Sequence, residues 1–312
     1  MISVVALLAL ASCAEVPPTC TVEQVIDVPL LSDAAVPVVE ATFHGERVAL
    51  IIDTGGFTST VTTAAVDHFG LTYTGDFTQI RSIGGIVQTP VIRVSHLMVG
   101  HGVMPTLRLP VVGMPIRSVH GVPVLGLFGA DILANYDVDL DVMHHHLGVY
   151  LQRGCARDLP PIAQPYFEVP LHVGPGGKIE IDVQLNGVPI HALLDTGAAE
   201  TVITLSDATR AGVMMTDLQA DRAERFIGVG RGIMLGHHHA FGSLEIGDET
   251  LHDFKFGVAD IATGTSVIGN DFLRHNRVLI SYWRQILFVQ PQLGAETMSQ
   301  LQPPETGAAH SR

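Results

Sequence analysis

The chain repeats itself, and that repetition limits its architecture more than any other feature. Around Asp53 it reads Ala49-Leu50-Ile51-Ile52-Asp53-Thr54-Gly55, and around Asp195 it reads Ala192-Leu193-Leu194-Asp195-Thr196-Gly197. A strand-like segment and a short turn precede each motif. These are 39–43 with His44-Gly45, and 179–185 with Asn186-Gly187, the second an Asn-Gly hairpin signal. Further on, Leu127-Phe128-Gly129-Ala130-Asp131-Ile132-Leu133 matches Val267-Ile268-Gly269-Asn270-Asp271-Phe272-Leu273 at nearly the same offset. Each half then closes on a pair of short apolar strands, 138–142 and 147–151 in the first and 278–282 and 286–289 in the second. Four matching features in one order make the chain two copies of one fold.

The length agrees. At roughly 150 residues per domain, 312 residues predict about two domains. With 47% hydrophobic and 15% charged residues, the chain is neither disordered nor fibrous. Gly, Pro, Asp or Arg interrupts every apolar run before the roughly 18 residues a spanning helix needs. The 31 acidic and 17 basic side chains give a net charge of −14 with no compensating basic cluster, so no nucleic acid is expected as a partner. Sixteen histidines would reverse that charge on full protonation, so mild acid acts strongly on this surface. Short, β-branched-rich strands separated by Gly and Pro predict a mostly β fold. A helical period shows only near 64–69 and 206–212, and a short helix is expected after each Gly-x-Asp.

Residues 1–12, MISVVALLALAS, read as the apolar core of an export signal. Leu10-Ala11-Ser12-Cys13 resembles a bacterial lipobox, although no Lys or Arg precedes it; Cys13 would then be lipidated. The expected boundaries are a signal over 1–13, a tether or pro-segment over 14–35, domains over 36–151 and 176–290, a linker over 152–175, and a disordered tail over 291–312. The expected location is the cell envelope, with a lipid anchor in a membrane. Cys20 and Cys155 remain, and in an oxidising compartment they can pair; the sequence leaves that open. No cysteine has the spacing of a metal site or stands beside a base.

Each Asp-Thr-Gly places a carboxylate at the end of an apolar strand, a costly position unless the charge is paired or used. A single such turn serves equally well as a structural cap. Two at equivalent places in a duplicated domain let a pseudo-twofold axis bring Asp53 and Asp195 face to face. Two carboxylates a few Å apart do not both ionise readily, so they share one proton and their apparent pKa values split. Such a pair can hold a water, take its proton and hand one to a leaving amide nitrogen.

On these residues the chain resembles the retropepsin-like branch of the aspartic peptidases, duplicated within one polypeptide as in pepsin-like enzymes. The resemblance covers roughly 36–151 and 176–290 and implies two β-barrel domains of acid-protease type. It implies Asp53 and Asp195 as the catalytic dyad and Thr54 and Thr196 as hydrogen-bonded cross-links. Gly55 and Gly197 would give substrate and water room to approach, while Gly129 and Gly269 would lie in the strands that buttress the two turns. Ile83-Gly84-Gly85 and Ile227-Gly228-Val229 would be flap tips closing over an extended polypeptide. No cofactor or metal is implied, and pairing within one chain implies a monomer. Two departures stand out: Gly56 replaces the usual Ala, Ser or Thr, and Ala198 offers no hydroxyl either. With fewer donors to the anion, the dyad should titrate higher than in pepsin-like sites, giving a mildly acidic optimum. Two rivals remain: a non-catalytic peptide-binding envelope scaffold, and copies that each dimerise with their twin in another chain.

Other signals carry less. His144-His145-His146 and His237-His238-His239 fit solvated loops, because successive side chains of a strand point to opposite faces and cannot converge on one ion. Ser59, Ser206 and Ser281 lack a nucleophile-elbow frame. Asp137, Asp139 and Asp141 alternate along a strand and share one face, which is expected to be solvated.

Overall fold

A computed structural model of the chain describes residues 20–31, 34–82, 85–114, 116–155, 162–227 and 233–292. Cys13, the rest of the expected signal and most of the expected tail lie outside them. The fold is mostly β, with few and short helices. No described helix is long and apolar enough to cross a membrane.

In each half a hairpin leads into the Asp-Thr-Gly motif: Val38–Phe43 with Glu46–Asp53, and Ile179–Leu185 with Val188–Leu194. His44-Gly45 and Asn186-Gly187 both take positive φ (50° and 85°, 49° and 75°), the turn whose twist suits a two-residue hairpin. From Val48 to Asp53 the first of these strands is buried on both faces, which is why it reads as a continuous apolar run. Its other neighbour is the parallel strand Val122–Gly129, with Ile52 opposite Phe128 and Asp53 opposite Gly129. The second half repeats this, with Leu193 opposite Val267 and Leu194 opposite Ile268. Two short helices, Ala130–Leu133 and Asn270–Leu273, start where these parallel strands end, beside the Asp-Thr-Gly turns. Thr63–Phe69 and Leu205–Arg210 supply the two helices with a visible period, each N-capped by a threonine side chain.

The halves meet in a shared antiparallel sheet. Asp137–Asp141 pairs with Asn276–Ser281, its counterpart in the other copy: Val138 faces Ile280, Leu140 faces Val278, and Asp139 faces Leu279. Equivalent residues therefore exchange places, and the pseudo-twofold axis runs through the Asp139–Leu279 pair. His146–Arg153 and Ile286–Pro291 flank this centre, and Thr21–Pro29 and Phe167–Val173 lie outside them. One face buries Val138, Leu140, Leu147, Val149, Val278, Ile280, Leu287 and Val289 in a core continuous through both halves. Burial of that extent couples the copies rather than stringing them together.

Three expectations change here. Residues 14–35 do not all form a tether, since Thr21–Pro29 is an edge strand of the shared sheet. A disulfide between Cys20 and Cys155 fastens its start, a bond kept in oxidising compartments and rare in reducing ones. Phe167–Val173, inside the expected linker, is the opposite edge strand. The aspartates of 137–141 do share a face, but it is buried, with Asp137 1% and Asp139 0% exposed. Segment 162–166 covers part of that face, Ile162 and Tyr166 packing on Leu279 and Phe288. Arginines of the other half meet the charges. Arg277 donates twice to Asp139 (2.9 and 2.6 Å), and Arg284 donates to Asp137 (3.0 Å).

Candidate active site

The two parallel-braced strands deliver Asp53 and Asp195 into tight turns that face each other. Within each turn one backbone N–H caps a carboxylate: Gly56 N donates to Asp53 Oδ1 (2.8 Å) and Gly197 N to Asp195 Oδ1 (2.8 Å). The threonines behind them are fully buried and bonded reciprocally. Thr54 N donates to Thr196 Oγ1 (3.0 Å) and Thr196 N to Thr54 Oγ1 (3.1 Å). Each hydroxyl then donates across the axis, Thr54 Oγ1 to the Leu194 carbonyl (2.7 Å) and Thr196 Oγ1 to the Ile52 carbonyl (2.6 Å). Four bonds in a dry, low-dielectric setting hold the turns at one separation, with every donor matched.

The glycines have a more specific role than the sequence suggested. A Cβ on Gly55 would stand 2.2 Å from Asp195 Cγ, and one on Gly197 would stand 2.7 Å from Asp53 Cγ. The clearance at each glycine is filled by the opposite carboxyl, so both glycines are required before the aspartates can meet at all. The two carboxyl groups are hydrogen-bonded to each other.

Electrostatics follow from that geometry. Asp53 is 7% exposed and Asp195 half-buried. Burial first, then the charge of Asp195, pushes Asp53 well above the ordinary carboxylate range, against the backbone donors that lower it. Burial also raises Asp195, opposed by the Gly197 N–H and the bond from Asp53. Carboxyls that interact this closely titrate as a pair rather than singly. Both groups are raised, where the sequence led to an expected split with one value up and one down, and burial is the first cause in each.

Residues 39–132 match a family of aspartyl proteases, and residues 181–275 match a family described as gag-polyprotein putative aspartyl protease. The chain is two retropepsin-like aspartyl protease domains in tandem. Protein DNA-DAMAGE INDUCIBLE 1 of Arabidopsis thaliana is 28% identical to it over 113 residues, 35% of this chain. The match spans only 26% of that relative's length.

Both protease domains brace their Asp-Thr-Gly turns from below in the same way. Ser59 donates from N (2.8 Å) and Oγ (2.7 Å) to Asp131 Oδ1, and its Oγ accepts from Gly129 N (2.9 Å). In the second domain Thr201 donates from N (2.9 Å) and Oγ1 (2.6 Å) to Asp271 and accepts from Gly269 N (3.1 Å). The sequence reading named Gly129 and Gly269 and missed these four partners. The visible signal was a hydroxyl at the same step after each aspartate and an acid at the same step after each glycine. Asn270 adds a bond that Ala130 cannot make, donating to the carbonyls of Thr196 and Ala198 (both 2.7 Å).

Each domain also carries a long hairpin where a flap was expected. Tyr73–Ser82 pairs with Gly85–Val94, and Arg222–Ile227 pairs with Ile233–Ile246. Gly85 and Ile227 close the described parts, whereas Ile83, Gly84, Gly228 and Val229 lie outside the described residues. The hairpins expose apolar side chains towards their tips: Ile86 and Val87 on one, Ile227, Ile233 and Leu235 on the other. The histidine runs are only partly in loops. His237–His239 sits within a strand, His238 Nε2 bonded to Glu200 (2.8 Å) and His239 to Asp221 (2.6 Å). His144 lies in a turn against Asp141, and His146 reaches Asp27 (2.7 Å).

Proposed function

We propose that this protein is an aspartic endopeptidase in which Asp53 and Asp195 act together on one water. The observation that carries the reading is the reciprocal clearance at Gly55 and Gly197, which has no use other than to let two carboxyls meet. With one proton on the pair, the ionised carboxylate removes a proton from water as the oxygen adds to a peptide carbonyl. The protonated partner donates to the carbonyl oxygen. Collapse of the resulting diol passes a proton to the amide nitrogen, the C–N bond breaks, and the dyad returns to one proton. The raised titration of Asp53 favours retention of a proton on the pair above the ordinary carboxylate range. The exposed apolar hairpin tips favour an extended polypeptide whose backbone adds to strand edges.

The decisive assay is cleavage of unfolded casein across pH 3–7 by wild type, Asp53→Asn and Asp195→Asn, each with and without pepstatin. Expected is pepstatin-sensitive cutting by wild type and a loss of at least about 10³-fold in either variant, since neither carboxyl works alone. Folded wild type that cuts nothing at any of these pH values would sink the enzyme reading. Activity that persists in one variant would sink the intrachain dyad.

A further inference from the structure

The first three strands of the second domain lie side by side: Phe167–Val173, Ile179–Leu185 and Val188–Leu194. Their inward residues (Val169, Leu171, Ile179, Ile181, Val183, Ile190, Ala192) are core. Their outward face carries Glu168 and His172 on the first strand, Glu180 and Asp182 on the second, and His191 on the third. Asp182 and His191 are direct cross-strand partners, and His172 stands one step diagonal, opposite Glu180. His172 Nε2 lies 3.0 Å from Asp182 Oδ2, and His191 Nδ1 meets Asp182 Oδ1.

We propose that His172, Asp182 and His191 form a binding site for a divalent first-row cation of zinc's chemistry, on the outer face of this sheet and apart from the aspartate pair. One ligand atom from each residue lies within 4.8 Å of the other two. A tetrahedral ion with bonds of about 2.0–2.2 Å needs its ligands about 3.4 Å apart, which small side-chain rotations supply. Two imidazoles and one carboxylate are a borderline-soft set, suited to zinc rather than to calcium or magnesium, and leave one position open. The scaffold is stiff, because each ligand comes from a different strand of one hydrogen-bonded sheet. Glu180, on the same face, is paired with Lys178. The side chains are about half exposed or more, so the ion needs no entry path. A bound ion would tie together three strands, one of which runs on into Asp195.

The test is calorimetric titration of the full chain with zinc chloride at pH 7.5, using wild type, His172→Ala, His191→Ala and Asp182→Asn. His238→Gln and His144→Gln serve as controls drawn from the two histidine runs. Expected is one zinc per chain in wild type and in both controls. Affinity should fall at least about tenfold in each of the three site variants. Far-UV dichroism checks that the three site variants, all at exposed positions, and the two controls are folded. Absence of zinc binding by wild type overturns the proposal. So does binding that survives in His172→Ala and His191→Ala. Neither outcome bears on the casein assay.

Discussion

At the residue scale, Asp53 shows how an ionisable group is held against its own preference. Burial and a like-charged neighbour favour its neutral form, and the fold keeps it there by fixing the turns through Thr54 and Thr196. A carboxyl whose pKa is raised by folding ionises at a cost to the folded state. That cost is absent below the unfolded pKa of about 3.9 and grows as pH climbs towards the raised value. Asp53→Asn removes it, so the variant should be more stable than wild type at pH 7, by about 1.4 kcal/mol for each tenfold difference in proton affinity between the folded and unfolded carboxyl. At pH 3.5 the two should coincide. Urea unfolding at both pH values measures this, and a variant no more stable than wild type at pH 7 would falsify the coupled-pair account. The dyad, its threonines and its glycines were legible because each is fixed by its immediate neighbours and appears twice. Ser59, Asp131, Thr201 and Asp271 were not, because their meaning lies in partners about seventy residues away. The alternation of Asp137, Asp139 and Asp141 gave their shared face correctly but carried no information on what covers it.

At the element scale, the second hairpin is tied to the turn of its own domain by one titratable bond. His238, on Ile233–Ile246, contacts Glu200 in the loop that follows Asp195, with Glu224 of the paired strand 4.0 Å away. The Glu200 bond, more than any other cause, raises the His238 pKa, against the desolvation that lowers it. A histidine raised by folding contributes stability that is complete below its unfolded pKa of about 6.5 and fades as pH rises through the folded value. His238→Gln should therefore cost about 0.5–1 kcal/mol at pH 5.5, the range of a partly exposed pair, and almost nothing at pH 9. An equal loss at both pH values would show that His238 acts through packing against Phe226 instead. Strands such as Ile179–Leu185 were readable from alternation alone. Thr21–Pro29 was not, because only Ile26 and Val28 are buried along it, and its backbone bonds go to His146–Arg153 far along the chain. An edge strand this polar looks like a tether until its partner is known.

At the scale of the whole molecule, the question is whether the halves pair with each other or with their twins in a second chain. The charges of the shared sheet favour the first. Asp137 and Asp139 come from the first half, and Arg277 and Arg284 from the second, all four on the covered face. If two first halves met in the same register, Asp139 would lie against its own copy and Asp137 against Asp141, without Arg277 or Arg284 to meet them. Two second halves would leave Arg277 and Arg284 without their carboxylates. Like charges in such a setting cost several kcal/mol, so the asymmetry selects the intrachain arrangement beyond what the covalent link provides. The same reasoning predicts that Asp139→Ala leaves Arg277 unpaired and lowers stability by about 3 kcal/mol, the lower end for a buried pair because Arg277 keeps some solvent. Asp139→Leu with Arg277→Leu should recover most of that loss, since the apolar pair meets Leu279 and no charge is stranded. Urea unfolding of the three proteins measures the stabilities, and sedimentation at rising concentration reads the second consequence. Wild type should remain monomeric, while the double variant, with its selective charge reduced, should begin to associate. Wild type that dimerises over that range, or a double variant as unstable as Asp139→Ala, would show that something other than this ion pair decides which halves meet.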